Sequence, residues 1–395
     1  MYSKEMYELG NKRSVIREIF EYGKKRAQEV GKDNVFDFSL GNPNVPAPEC
    51  IKDSILQLLS EMDAAELHGY TSAQGDYDVR KTLADDINKR FGVNFSADDF
   101  YMTVGAAASL TISFKALCNE VDEFIAIAPY FPEYKVFCEG VGGELKVVKP
   151  DLKNFEIDFE DLEKKLSEKT KGIVINSPNN PSGKVYGEDT IVKLCNLLKE
   201  KQIEYGHPIY ILADEPYREI VYGEKTVPYL PCYYDNTLVC YSYSKSLSLP
   251  GERIGYIAVN PKAEDAKDIY LAVCGAGRTL GYVCASSMYQ RVVAKCVGQT
   301  SDIEYYRKNR DILYNALTSY GYEAVSPDGA FYLFVKALEK DANAFCERAK
   351  KYDLLLVPGD GFGCPGYVRI SYCVKTEQIE RSLEKFKLLA EEYAK

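Results

Sequence analysis

Short, mainly apolar runs separated by polar turns dominate the middle of the chain. Residues 101–104, 124–128, 172–176, 209–213, 238–241 and 254–259 each have the length and composition of a strand buried on both faces. Amphipathic segments lie between most of them, 189–201 among them, so the alternation predicts an α/β domain in which helices wrap a mostly parallel sheet. Beyond about residue 273 the pattern changes. Long amphipathic stretches at 302–320 and 377–393 are separated by short strand patterns at 322–325, 330–335 and 367–372, which predicts a smaller α+β domain. A helix over 15–30 precedes the sheet and is expected to pack with that C-terminal part. The division is then a large domain of 40–275 and a discontinuous small domain of 1–39 with 276–395.

A chain of 395 residues is long enough for two such cores. Its formal charge of -10 argues against a nucleic-acid or anionic-membrane surface, so any anion site must be local. No apolar run has the length of a membrane span, and residues 1–13 are charged without an apolar core. A cytoplasmic protein is therefore expected. Twelve cysteines without a C-x-x-C pair and only two histidines, His68 and His207, support neither a zinc finger nor a His-rich metal site. No G-x-G-x-x-G follows the first strand; Gly140-Val141-Gly142-Gly143 precedes a strand instead, which removes the case for a nicotinamide dehydrogenase.

Ligands of an open parallel sheet sit at the carboxyl ends of its strands. Those positions are chemically loaded here. Gly105-Ala106-Ala107 follows the first strand and leads into an apolar helix, whose first N–H groups suit an anion. Asn179-Asn180-Pro181 follows the third listed run, and its residue types also suit a plain turn. Asp214 ends the fourth, three residues before Tyr217; a carboxylate there is either a turn cap or the partner of a buried cation. Lys245 follows the fifth, among Ser242, Ser244, Ser246 and Ser248 and shortly before Arg253. Hydroxyls and an arginine can clamp a phosphate, and a nearby positive charge disfavours an ammonium, which turns a lysine into a nucleophile for an aldehyde. Arg369 lies on the face of its strand opposite Val368 and Ile370, either in solvent or holding a carboxylate in bidentate fashion.

Together these pieces resemble the fold type I, pyridoxal-phosphate-dependent aminotransferases of the aspartate aminotransferase superfamily. The resemblance runs from Gly41-Asn42-Pro43 through Tyr70-Thr71-Ser72-Ala73-Gln74-Gly75 to Arg369, and its strongest motif is Ser242-x-Ser244-Lys245 followed by Gly251-x-Arg253-x-Gly255-Tyr256. It implies a large domain with a mostly parallel seven-stranded sheet and pyridoxal 5′-phosphate as cofactor. Lys245 matches the Schiff-base lysine and Asp214 the partner of the pyridine nitrogen. Tyr217 and Asn180 match the ligands of the ring hydroxyl oxygen. Ser242, Arg253 and the amides of Ala106 and Ala107 match the phosphate ligands, and Phe131 the ring stacked on the cofactor. Arg369, Asn180 and the backbone of Gly41 match the binders of the substrate α-carboxylate. Tyr70 matches a tyrosine lent to the neighbouring subunit's phosphate, which implies a homodimer.

The implied reaction moves an amino group from an L-amino acid of aspartate, alanine or aromatic type to a 2-oxo acid such as 2-oxoglutarate. The same residues also suit a carbon–sulfur β-lyase, because one carbanion has several exits. The phosphate loop departs from the family: Ala106-Ala107-Ala108 stands where relatives often carry a hydroxyl or amide, which shifts the phosphate's grip toward Ser242, Arg253 and backbone N–H groups. Arg278 falls near the place where dicarboxylate-specific relatives carry a distal arginine, and is equally a surface residue.

Overall fold

The computed structural model describes residues 2–11 and 15–394. Seven strands form the central sheet: β1 (Phe100–Thr103), β2 (Glu123–Ile127), β3 (Glu144–Val148), β4 (Thr170–Asn176), β5 (Tyr210–Asp214), β6 (Thr237–Ser242) and β7 (Gly255–Val259). Their spatial order is β1-β7-β6-β5-β4-β2-β3. All neighbours run parallel except β7, which is antiparallel to both β6 and β1. Every residue of β5, β6 and β7 is buried, as expected of strands covered on both faces. The edge strand β3 escapes the apolar-run pattern because its sequence Glu-Leu-Lys-Val-Val mixes charged with apolar residues, is mostly half-buried and pairs with β2 alone. A mostly parallel seven-stranded sheet is what the resemblance implies for the large domain.

A three-stranded antiparallel sheet follows, built from β8 (Tyr332–Lys336), β9 (Val357–Pro358) and β10 (Tyr367–Ser371) in the order β9-β10-β8. Helices Ile303–Ser319 and Thr376–Tyr393 share one apolar core with it. The strand expected over 322–325 is reduced to a single bridge from Ala324 to Val335. Helix Val15–Val30 places Ile19 against Leu355, Val357 and Phe362, so the opening helix packs on the C-terminal part.

The expected boundary at 275/276 falls inside one helix. It cuts helix Ala266–Leu280, whose Val273 and Ala276 both pack under the seven-stranded sheet. Helix Ser287–Lys295 buries Val292 and Val293 in the core of that same sheet. The small domain was expected to begin here because the helical stretches lengthen after about residue 273; both helices instead pack into the cores of the seven-stranded sheet. Among the described residues, no helix is long and apolar enough to cross a membrane.

Candidate active site

A cavity of about 310 Å³ opens where the carboxyl ends of β4, β5 and β6 face β8 and β10. Eleven of the twelve residues singled out in the sequence line it: Gly41, Ala106, Ala107, Phe131, Asn180, Asp214, Tyr217, Ser242, Lys245, Arg253 and Arg369. Tyr70 stands outside the cavity and is 97% exposed. Arg278 is exposed on helix Ala266–Leu280 and does not line the cavity.

The register of parallel strands builds the first half. Asn176 and Asp214 are partners at the ends of β4 and β5. Their side chains therefore meet: Asn176 Nδ2 donates to the Asp214 carbonyl at 2.9 Å and to its Oδ2 at 3.3 Å. Tyr134, fully buried on helix Glu133–Glu139, donates its hydroxyl to the same Oδ2. Oδ1 is buried and has no hydrogen-bond partner among the described residues. Burial pushes the Asp214 carboxyl up to about 7; the bond from Tyr134 pulls it down and the charge of Glu215 adds to the rise. A carboxylate fixed through one oxygen and bare at the other is a receptor for a cation.

Lys245 sits in the one-turn helix Tyr243–Ser246, which Ser242 caps by accepting from the Ser244 N–H at 3.2 Å. Its Nζ donates to the Gly41 carbonyl at 2.5 Å. Burial lowers the pKa of the ammonium to about 8; Cys373 opposes that, while Arg369 and Arg253 add to it. Its free-base form, the nucleophile, is thus far more populated at neutral pH than in an ordinary lysine.

Next to Lys245 lies an anion cradle. Helix Ala106–Leu117 begins at Gly105 without a side-chain cap, so the first N–H groups are left to a ligand. Gly105 holds φ at 97°, and a Cβ there would come within 2.6 Å of Arg253 Nη2. Only glycine lets the guanidinium close on the helix start. Arg253 itself has φ of 52° and donates to Ser244 Oγ at 3.3 Å and to the Pro250 carbonyl at 3.0 Å. An arginine kept in the left-handed region is held there by its surroundings.

Arg369 comes from the central strand β10 and is 2% exposed, which settles its face. Nη1 donates to Asn180 Oδ1 at 3.0 Å and Nη2 to the Ser39 carbonyl at 2.6 Å, leaving Nε without a partner among the described residues. The guanidinium lies 4.7 and 4.9 Å from the ring centroids of Tyr332 and Phe362. An orphaned donor in an aromatic slot suits a carboxylate.

The sequence reading missed Tyr134, Asn176 and Tyr332. Asn176 could have been found by the rule that picked Asp214, since it ends a buried strand. Tyr134 and Tyr332 carry no such signal: one is on a short helix, the other inside a strand.

The family model for class I and II aminotransferases matches residues 33–386. The chain belongs to the class I and II aminotransferases. Its activity is that of a transaminase. Among solved structures, an amino transferase from Eubacterium rectale superposes with a TM-score of 0.98 at 58% identity, over 100% of both chains. The aspartate aminotransferase of Thermus thermophilus with maleate gives 0.84 at 26% identity, over 96% of this chain and 97% of that one. The aspartate aminotransferase of Thermotoga maritima is 30% identical, over 89% of this aminotransferase and 90% of that one.

Proposed function

We propose that this aminotransferase uses pyridoxal 5′-phosphate to transfer the amino group of an L-amino acid, with aspartate as the first donor to test, to 2-oxoglutarate. The observation that carries the reading is one cavity in which a lysine of lowered basicity, a buried carboxylate bare at Oδ1 and an arginine with an orphaned Nε converge. The residues fit the cofactor: Asp214 Oδ1 suits a protonated ring nitrogen, and the Gly105–Arg253 cradle suits a phosphate. The relatives named as aspartate aminotransferases, and the maleate of the Thermus enzyme, support a dicarboxylic donor.

When bound, pyridoxal phosphate supplies an electron-poor ring that accepts the electron pair left on Cα. Asp214, held by Tyr134 and Asn176, would keep the ring nitrogen protonated. Tyr217 and Asn180 would hold the ring oxygen, Phe131 would face the ring, and Ser242, Arg253 and the Ala106 and Ala107 amides would take the phosphate. Lys245 Nζ, set beside the Gly41 carbonyl, would serve as the general base that takes the Cα proton and as the acid that gives it back. Arg369, with Asn180 and the Gly41 backbone, grips the α-carboxylate and so fixes which Cα bond is presented for cleavage. The working unit is a homodimer in the cytoplasm, with Tyr70 extended to the neighbouring subunit's phosphate.

The test is a coupled assay with a panel of amino acids and 2-oxoglutarate, beside the absorbance spectrum of the loaded protein. Glutamate formed from aspartate with equal oxaloacetate supports the reading. Pyruvate and ammonia released from cystathionine without a keto acid would move it to a β-lyase. Arg369→Lys keeps the charge and loses the fork, so KM for amino and oxo acids is expected to rise and kcat/KM to fall about 10- to 100-fold, from about 1.5–3 kcal/mol of lost bidentate bonding. An unchanged KM would remove Arg369 from the carboxylate site.

A further inference from the structure

Tyr332 belongs to none of the motifs, yet it touches three functional groups. It opens β8 and pairs with Ser371 of β10, two residues from Arg369, so two paired strands fix it beside the guanidinium. The Arg369 Cζ lies 4.7 Å from the centroid of its ring. Its hydroxyl shares a hydrogen bond of 2.8 Å with the hydroxyl of Tyr217. The same oxygen is packed so closely on Gly41 that a Cβ at position 41 would overlap it, and the Gly41 carbonyl is the acceptor of Lys245 Nζ. The side chain is 2% exposed and lines the cavity.

We propose that Tyr332 is a positioning residue that couples the substrate-carboxylate site at Arg369 to Tyr217, the ligand of the cofactor's ring oxygen. The inference rests on the roles given above to Arg369 and Tyr217. A phenol has one proton to donate. When Tyr217 gives its proton to the ring oxygen, the bond between the two hydroxyls is donated by Tyr332. Each donor in such a chain polarises the next, so Tyr332 strengthens the bond that Tyr217 makes. Arg369 over the Tyr332 ring sets the strength of that first donor. The charged and titratable groups facing the pair are Arg369 and Cys373 around Tyr332, and Arg369 and Asp214 around Tyr217. Burial pushes Tyr332 up to about 12 and Tyr217 well above its ordinary value, so both protons are present at neutral pH.

A carboxylate that neutralises Arg369 then weakens the Tyr332 donation, next the Tyr217 donation, and finally makes the ring oxygen more basic. Asn180 offers a parallel path, because Arg369 Nη1 already donates to its Oδ1. Loss of Tyr332 should therefore remove part of the response and leave the rest.

The experiment follows the visible absorbance of the pyridoxal-phosphate-loaded protein against pH, with and without propionate, which has a carboxylate and no amine. In the wild type, propionate is expected to raise the midpoint of the band. In Tyr332→Phe the rise is expected to be smaller by on the order of half a pH unit, and the same substitution made on Tyr217→Phe is expected to change nothing further. Gly41→Ala, whose methyl displaces the Tyr332 hydroxyl while leaving both phenols in the chain, should reproduce the reduced response and covers the case in which Tyr332→Phe does not load. An equal rise in wild type and Tyr332→Phe, or additive effects in the double variant, would overturn the coupling. A wild type that gives no visible band with added pyridoxal phosphate would show the cofactor reading itself to be wrong, before any substitution is made.

Discussion

Lys245→Ala is expected to lower the rate of transamination by about 10⁴-fold or more, with aspartate and 2-oxoglutarate still competing for the site. Two losses combine. Among the described residues Lys245 carries the one amine that lines the cavity, and in the proposed reading its loss would free the cofactor from the chain and remove the group that moves the Cα proton. Proton transfer by a positioned side chain accounts for about 10²–10⁴-fold by itself. The remaining ligands are untouched: Asp214, Ser242, Arg253 and Arg369 hold their places through bonds that do not involve Lys245. Substrate affinity should thus change far less than turnover. A small added amine should restore part of the rate in proportion to its basicity, since what is missing is a base and not a shape. Turnover within tenfold of the wild type would place the essential base elsewhere.

Much of this site was legible because the chemistry sits where a parallel sheet puts it. Asn180, Asp214 and Lys245 each come within a few residues of the end of a buried strand, and the ends of adjacent parallel strands are neighbours whatever the loops do. Arg369 was legible in position and open in orientation: alternation says only which face it shares with its neighbours, and the cover over β10 decides whether that face is wet. Tyr134 and Tyr332 were not legible at all. Their roles come from the docking of a short helix and of a second sheet, contacts between segments 80 and 115 residues apart from their partners Asp214 and Tyr217. The fold followed the same division. The interior strands announce themselves by apolar runs, whereas β3 hides at an edge and helix Ser287–Lys295 returns to a sheet that the chain had left at β7.

Asp214→Asn is expected to stabilise the cofactor-free protein and to cripple the loaded one. Asparagine has the carboxylate's shape: its oxygen can keep the bonds from Tyr134 and Asn176, and its amide takes the place of the unpartnered Oδ1. The wild-type carboxyl has its pKa raised to about 7 by burial, against 3.8 for an ordinary aspartate. Its contribution to stability is therefore full below about pH 4 and is lost as pH rises through 7, where the folded state must hold an unpaired charge. The variant escapes that loss, so it should match the wild type at pH 4, diverge between pH 4 and 7, and be more stable above pH 7 by about 2–4 kcal/mol. Thermal unfolding of the cofactor-free proteins across this range would measure it. Once pyridoxal phosphate is added the order should reverse, because the wild-type carboxylate gains a cationic ring nitrogen and the amide does not, and turnover of the variant should fall by about 10³-fold or more as the ring loses its proton. A carboxylate kept only for packing or capping would give the same ranking with and without cofactor; an exchange of rank assigns the strain at Asp214 to the cofactor it is built to receive.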